Sequence, residues 1–197
     1  MTRLIVATQN VGKLIEIKNL FAHTKTPWDE IIGLDEVSFN QEILENGQTF
    51  FDNALIKAKA VAKSFAADWI LADDSGLEVD ALNGQPGVYS ARYKKDHDDQ
   101  ANMQKVLDNL KDEKNRNAHF TTAMVLISPK KDITSGTGKT DGKITLEKIG
   151  SGGHGYDPIF YSEELNKTFA QATIEEKNSV SHRTRALNDI FSKLFPS

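Results

Sequence analysis

Apolar positions along this chain follow two periods in turn. Leu4–Thr8 is a short, continuous, partly β-branched apolar run, which predicts a buried strand. Gln9–Gly12 reads as a turn. Leu14, Ile17, Leu20 and Phe21 then fall at helical spacing within Lys13–Ala22. Strand, glycine-bearing loop and helix in that order open an α/β unit. Trp28–Phe39 mixes apolar residues with acids and predicts one strand. Thr49–Ala67 is the clearest helix, with Phe50, Ala54, Ile56, Ala58, Val61 and Phe65 on one broad face and Thr49 and Asp52 placed for a capping box. Trp69–Ala72 predicts a strand that stops at Asp73-Asp74-Ser75-Gly76, and Leu77–Leu82 a strand beyond that turn. Further on come a turn at Gly84–Val88, a helix over Asp98–Leu110 and a strand over Phe120–Ser128. Asp132–Gly142 reads as a hairpin tip or mobile loop, with Lys143–Ile149 returning as a strand. Gly150–Pro158 is a second glycine-rich loop, and Ser181–Leu194 a terminal helix with Ser181 as N-cap.

This order is mixed α and β, with no internal repeat and no long linker. It predicts one two-lobed α/β domain over residues 1–197 rather than two independent domains. Composition narrows the class further. Hydrophobic residues at 39% and charged residues at 26% exclude disorder or coiled coil as descriptions of the whole chain, and leave enough apolar material for a core. A formal charge of −4 argues against a general binder of nucleic acid or membrane surfaces, though not against a local basic pocket. The absence of cysteine excludes disulfides, thiolate zinc sites and a cysteine nucleophile. Leu4–Ala7 is too short for a signal-peptide core, and no stretch approaches the roughly 18 apolar residues of a membrane span. The expectation is a soluble cytoplasmic protein.

Five segments carry candidate chemistry. Thr8-Gln9-Asn10-Val11-Gly12-Lys13 offers helix-start amides and a lysine, a combination that suits a phosphate. It is not a Walker A loop, because Ala7 stands where the first glycine belongs and Leu14 follows the lysine. Read alone, an ordinary turn with a solvated lysine is the commoner meaning. Asp73-Asp74-Ser75-Gly76 at a strand end suits a divalent cation or a polarised water, and equally an Asx turn. Glu45, in the loop before Thr49, is either a further metal carboxylate or a solvated acid. Gly152-Gly153-His154-Gly155-Tyr156-Asp157-Pro158 allows close backbone approach, and His154 and Tyr156 could stack on a flat ring. Lys177 with Ser181-His182-Arg183 forms a local positive patch at a helix start. Taken together, acids for a metal and lysine and arginine for phosphate oxygens match the demands of phosphoryl chemistry.

The sequence closely resembles the inosine triphosphate pyrophosphatase family, the dITP/XTP or non-canonical purine nucleoside triphosphate pyrophosphatases. The resemblance covers nearly the whole chain. It rests on Ala7–Lys13, Gly47-Gln48-Thr49-Phe50 with Asn53-Ala54, Ala72–Leu77, Gly87–Tyr93, Asp99–Asn102, Gly155–Phe160 and Ser181-His182-Arg183, all in the same order. It implies an elongated mixed β-sheet split into two lobes, with flanking helices, an active-site cleft between the lobes and usually a homodimer. It implies Mg²⁺-dependent hydrolysis of ITP, dITP and XTP to the monophosphate and pyrophosphate. By resemblance, Thr8, Gln9, Asn10, Val11, Gly12 and Lys13 hold the triphosphate, and Asp74 is proton acceptor and metal ligand. Ser75, His154, Gly155, Tyr156, Asp157, Lys177, His182 and Arg183 contact substrate.

Two positions depart from the family pattern. His154 stands where relatives usually carry a phenylalanine thought to stack on the base; an imidazole stacks more weakly and can change charge. Leu44 stands where relatives often place the metal-binding glutamate, so that role passes to its neighbour Glu45. Oxo bases would be favoured over adenine by donors such as backbone amides, His182 or Arg183. A pyrophosphatase of the Maf-like kind, acting on modified pyrimidines, and a nucleotide-binding module without hydrolysis are the rival readings. The Asp73-Asp74 pair argues against the second.

Overall fold

The structure is a computed structural model and describes residues 1–22 and 24–195. Among the described residues seven strands form one mixed open sheet: β1 (Arg3–Val6), β2 (Glu30–Gly33), β3 (Trp69–Val79), β4 (Asn117–Ile127), β5 (Ile133–Ile144), β6 (Phe160–Ser162) and β7 (Lys167–Thr168). Their spatial order is β2-β1-β3-β4-β5-β6-β7. β1 is parallel to both β2 and β3, with Leu4 opposite Ile31 and Trp69; β6 is antiparallel to β5 and β7. Among the described residues five α-helices accompany the sheet: α1 (Val11–Ala22), α2 (Phe50–Ser64), α3 (Asp99–Asn109), α4 (Ile174–Val180) and α5 (His182–Leu194). No helix among the described residues is long and apolar enough to cross a membrane.

The chain divides into two compact units. The first comprises residues 1–74, 122–138 and 183–197; the second comprises 75–121 and 139–182. β3, β4 and β5 contribute residues to both. The first unit has two apolar clusters. Ile5, Ala7, Ile70 and Ala72 pack with Ala54, Ala58 and Val61 of α2. Leu4, Val6 and Leu71 pack with Ile17 and Phe21 of α1 and with Ala186, Leu187 and Ile190 of α5. Neighbouring residues of β1 thus enter different clusters, as strand alternation requires, and helices cover both faces. The second unit has its own core, in which Leu77, Met103, Val106 and Leu110 meet Phe120, Phe160 and Phe169.

The local reasons follow from the residues. Thr49 caps α2: its hydroxyl accepts from Asp52 N at 3.1 Å, and the Asp52 carboxylate accepts from Thr49 N at 3.2 Å, completing the expected capping box. Such a cap contributes about 1 kcal/mol. Asp98 caps α3 by accepting from Ala101 N at 3.0 Å.

Three segments differ from expectation. Trp28–Phe39 holds a strand of only four residues, followed by a 3-10 turn at Asp35–Val37. β3 does not break at Asp73-Asp74-Ser75-Gly76 but runs through it, so an Asx turn there is excluded. Turn-favouring residues remain extended because their carboxylates find partners outside the segment. Asp132–Gly142 is not a loop tip. The turn lies at Ser128–Asp132, and β5 follows with Gly136, Gly138, Thr140, Gly142 and Ile144 buried and Thr137, Lys139, Asp141 and Lys143 exposed. Glycine is needed there because a Cβ at Gly136 would lie 2.3 Å from the Ala186 carbonyl oxygen, and one at Gly142 2.5 Å from that of Tyr161. α4 was not expected at all.

Candidate active site

In the first unit the segment Thr8–Lys13 joins β1 to α1. The Thr8 hydroxyl accepts from Asn10 N at 3.1 Å, and the Asn10 side chain accepts from Lys13 N at 3.0 Å, so the loop carries its own cap on α1. Gln9, Asn10 and Val11 are exposed, whereas Thr8, Gly12 and Lys13 are half-buried. Lys13 reaches Asp73: its Nζ lies 3.1 Å from Asp73 Oδ2. Arg183 Nε lies 3.5 Å from the same oxygen, and Arg183 Nη1 donates to Glu16 Oε2 at 2.7 Å. Asp73, Arg183 and Glu16 are all buried.

Asp74, next along β3, has a different hydrogen-bond partner. Asn53 Nδ2 donates to Asp74 Oδ2 at 3.0 Å. Lys57, one turn further along α2, pairs with Glu45 at 2.8 Å. The electrostatics separate the two aspartates. Burial alone would push the Asp73 carboxyl up, but Lys13, Arg183 and Lys57 outweigh it and hold Asp73 well below the usual carboxylate range. Burial pushes Asp74 up, with Glu45 adding to the shift; Lys57, Lys13 and the Asn53 hydrogen bond only partly oppose it. Burial lowers the Lys13 ammonium despite Asp73, while Lys57 is raised because Asp73, Asp74 and Glu45 together overcome its burial. Asp73 is therefore a fixed structural anion, and Asp74 a carboxylate with an elevated proton affinity.

Asp74 and Glu45 also test the fit of a divalent ion. Burial and the nearby Glu45 both disfavour charge on Asp74, a penalty that a bound cation would relieve. Two hard oxygen donors that repel each other in this way suit Mg²⁺. Leu44, in the usual glutamate position, is 73% exposed and has no donor atom.

In the second unit Lys177 Nζ donates to Asp157 Oδ2 at 2.6 Å, with both side chains buried. The same oxygen accepts from His154 N at 2.9 Å, and Asp99 Oδ2 accepts from Gly155 N at 2.9 Å. These bonds hold the loop in a conformation that its sequence permits. Gly153 and Gly155 have φ of 71° and 61°, and a Cβ on Gly153 would fall 2.1 Å from Asp157 Oδ2. Tyr156 is only 5% exposed and donates its hydroxyl to the Ser90 carbonyl at 2.7 Å, so its ring is core and not a platform for a base. That corrects one of the two stacking candidates; His154 remains half-buried. His182 is buried, with its ring stacked on Phe120 at 4.8 Å and 12°, so that ring face is already covered. Ser75 is half-buried on β3.

The expected positive patch at the start of α5 is divided. Lys177 is neutralised by Asp157, and Arg183 faces Asp73 and Glu16. Asn53, Lys57, Glu16 and Asp99 gain roles that sequence reasoning missed. For Asn53 and Lys57 a signal existed: they are four residues apart and so share one face of α2, turned toward the acids.

Comparison with known proteins gives a consistent picture. The Ham1 family matches residues 4–193. The dITP/XTP pyrophosphatase of Leuconostoc mesenteroides is 47% identical over 194 residues, covering 98% of this chain and 96% of that protein. The dITP/XTP pyrophosphatase of Bacillus subtilis is 43% identical over 197 residues, covering 98% and 97%. The solved Ham1 protein of Staphylococcus aureus superposes with a TM-score of 0.83 at 38% identity, covering 98% of each chain.

Proposed function

The chain belongs to the Ham1 family, and we propose that it hydrolyses non-canonical purine nucleoside triphosphates, namely ITP, dITP and XTP, to the monophosphate and pyrophosphate. The observation that carries this reading is the Lys13–Asp73–Arg183 cluster, with Asp74 beside it and the amides of Thr8–Lys13 leading into it. A triphosphate needs fixed cations and helix-start amides, and its hydrolysis needs a carboxylate that can take up a proton. Both are present within one unit.

Thr8, Gln9, Asn10, Val11, Gly12 and Lys13 bind the triphosphate. Lys13 exchanges Asp73 for phosphate oxygens, and Asp73 keeps Arg183 as its counter-charge. Asp74 accepts a hydrogen bond from the attacking water and orients it toward the α-phosphorus. Burial disfavours its charged form in the metal-free protein, so a proton donor or a cation is drawn to this carboxylate. The water oxygen bonds to the α-phosphorus as its proton passes to Asp74, the bond from the α-phosphorus to the bridging oxygen breaks, and pyrophosphate leaves with that electron pair. Mg²⁺ held by Asp74 and Glu45 would supply charge neutralisation to the phosphate oxygens. Ser75, Gly155, Lys177, His182 and Arg183 contact the substrate, Tyr156 and Asp157 through a loop they hold rigid, and His154 stacks on the base. Amides of that loop favour a 6-oxo purine over adenine, which would leave them unpaired. The protein works as a cytoplasmic homodimer formed by the single domain of residues 1–197, a reading supported by the family resemblance.

The test is pyrophosphate release across a full panel of purine and pyrimidine triphosphates with Mg²⁺. ITP, dITP and XTP should exceed ATP and GTP by about 10²-fold, equivalent to roughly 2.7 kcal/mol and within reach of one or two buried hydrogen bonds. Comparable rates on ATP refute the substrate assignment, faster turnover of modified pyrimidines favours the Maf-like reading, and release of orthophosphate refutes attack at the α-phosphorus.

A further inference from the structure

We propose that Asn53 is a positioning residue that sets the geometry of both acidic groups at once, an inference that rests on the reading of Asp74 and Glu45 just given. Asn53 is buried in the first turn of α2 and uses both ends of its amide. Nδ2 donates to Asp74 Oδ2 at 3.0 Å; Oδ1 accepts from Gly47 N at 2.8 Å. Gly47 lies two residues after Glu45, so one rigid side chain ties the loop bearing Glu45 to the strand bearing Asp74.

The surroundings are built for this bridge. A Cβ on Gly47 would lie 2.7 Å from Asn53 Oδ1 and 2.9 Å from Asn53 N, so only glycine lets the loop backbone approach closely enough to donate. The capping box of Thr49 and Asp52 fixes the turn from which Asn53 projects. The amide also does what a charged donor would not. It engages one oxygen of Asp74 and fixes the carboxylate plane, yet adds no cation that would compete with a metal or neutralise the acceptor. Lys57, one turn along the same face, supplies the charge and pairs with Glu45. Orientation and neutralisation are thus divided between two residues of one helix.

The experiment compares wild type with Asn53→Ala, and with Gly47→Ala, whose Cβ would press on Asp52 Cβ and the Asn53 amide and so push the loop off the bridge from the other side. Two quantities are read: steady-state kcat and KM for ITP, and Mn²⁺ affinity of the nucleotide-free protein by electron paramagnetic resonance of free Mn²⁺. For Asn53→Ala, kcat should fall at least tenfold with KM within threefold, and Mn²⁺ should bind about five- to tenfold more weakly. Gly47→Ala should show the same pattern at smaller amplitude, and it carries the test if Asn53→Ala does not fold. A folded variant with kcat and Mn²⁺ affinity both within twofold of wild type overturns the inference. So does a rise in KM alone, which is what loss of the triphosphate loop would give. If wild type fails to hydrolyse ITP, the functional reading falls, and the Mn²⁺ measurement still decides the role of Asn53.

Discussion

The Lys177–Asp157 pair offers a sharp test of how the glycine-rich loop is held. Their side chains are 5% and 3% exposed, and the Nζ–Oδ2 distance is 2.6 Å. A pair this deep has given up the hydration of both charges, so removing one partner leaves the other buried and uncompensated. That costs about 3–5 kcal/mol. In a chain of this size each kcal/mol moves the unfolding midpoint by roughly 2–4 °C. Asp157→Asn, which keeps an oxygen for the His154 amide, and Lys177→Met, which keeps the stem, should each unfold roughly 6–20 °C below wild type. The double variant removes both charges together and should recover at least half of that loss, because neither ion is left stranded. Calorimetry or circular dichroism on the four proteins at one pH completes the cycle. Single-variant shifts below about 2 °C, or a double variant whose loss equals the sum of the singles, would show that the pair does not hold the loop.

Asp74→Asn separates catalysis from stability. Turnover should fall by roughly 10²–10⁴-fold in a pyrophosphate assay. Because the folded protein raises the Asp74 pKa, the protonated form is the one that folding favours. Stability from Asp74 is therefore complete below its unfolded pKa and is lost as pH rises through the higher folded value. Metal-free Asp74→Asn should accordingly melt higher than wild type at pH 7, and the gain should vanish near pH 3; a lower melting point at pH 7 contradicts the electrostatic reading. His154→Ala should raise KM for ITP by an amount equivalent to about 1–3 kcal/mol, and His154→Phe should preserve or lower it; a KM indifferent to both substitutions removes the ring from substrate binding. Gly153→Ala should destabilise by at least about 1–2 kcal/mol from its φ of 71° alone, with the clash against Asp157 adding to it, and a thermal melt unchanged from wild type would refute that.

Much of the architecture was legible in the residues themselves. Helices α1, α2 and α3, the Thr49–Asp52 capping box and the strand β1 all depend on neighbours within about four positions, and their periodicity and caps are written locally. The ordered motifs by themselves point to one family, and membership in the Ham1 family agrees. What remained hidden depended on partners distant in the chain. Asp73 and Asp74 favour a turn by local preference, yet β3 runs straight through them because Lys13, Arg183 and Asn53 meet their carboxylates. The Gly/Thr/Lys composition of Asp132–Gly142 suggested a loop, yet it is a strand whose glycines admit the backbones of α5 and β6. Its alternation of Thr137, Lys139, Asp141 and Lys143 with small residues was a period-two signal that composition obscured. Tyr156 reads as a candidate platform and is core, and Arg183 reads as part of a positive patch with Lys177 and is bound to Glu16, 167 positions away. Local sequence decides where a helix can start and which face is apolar. Which buried charge meets which is decided only when the fold brings distant side chains within about 3 Å, since it is there that desolvation must be offset by a specific partner.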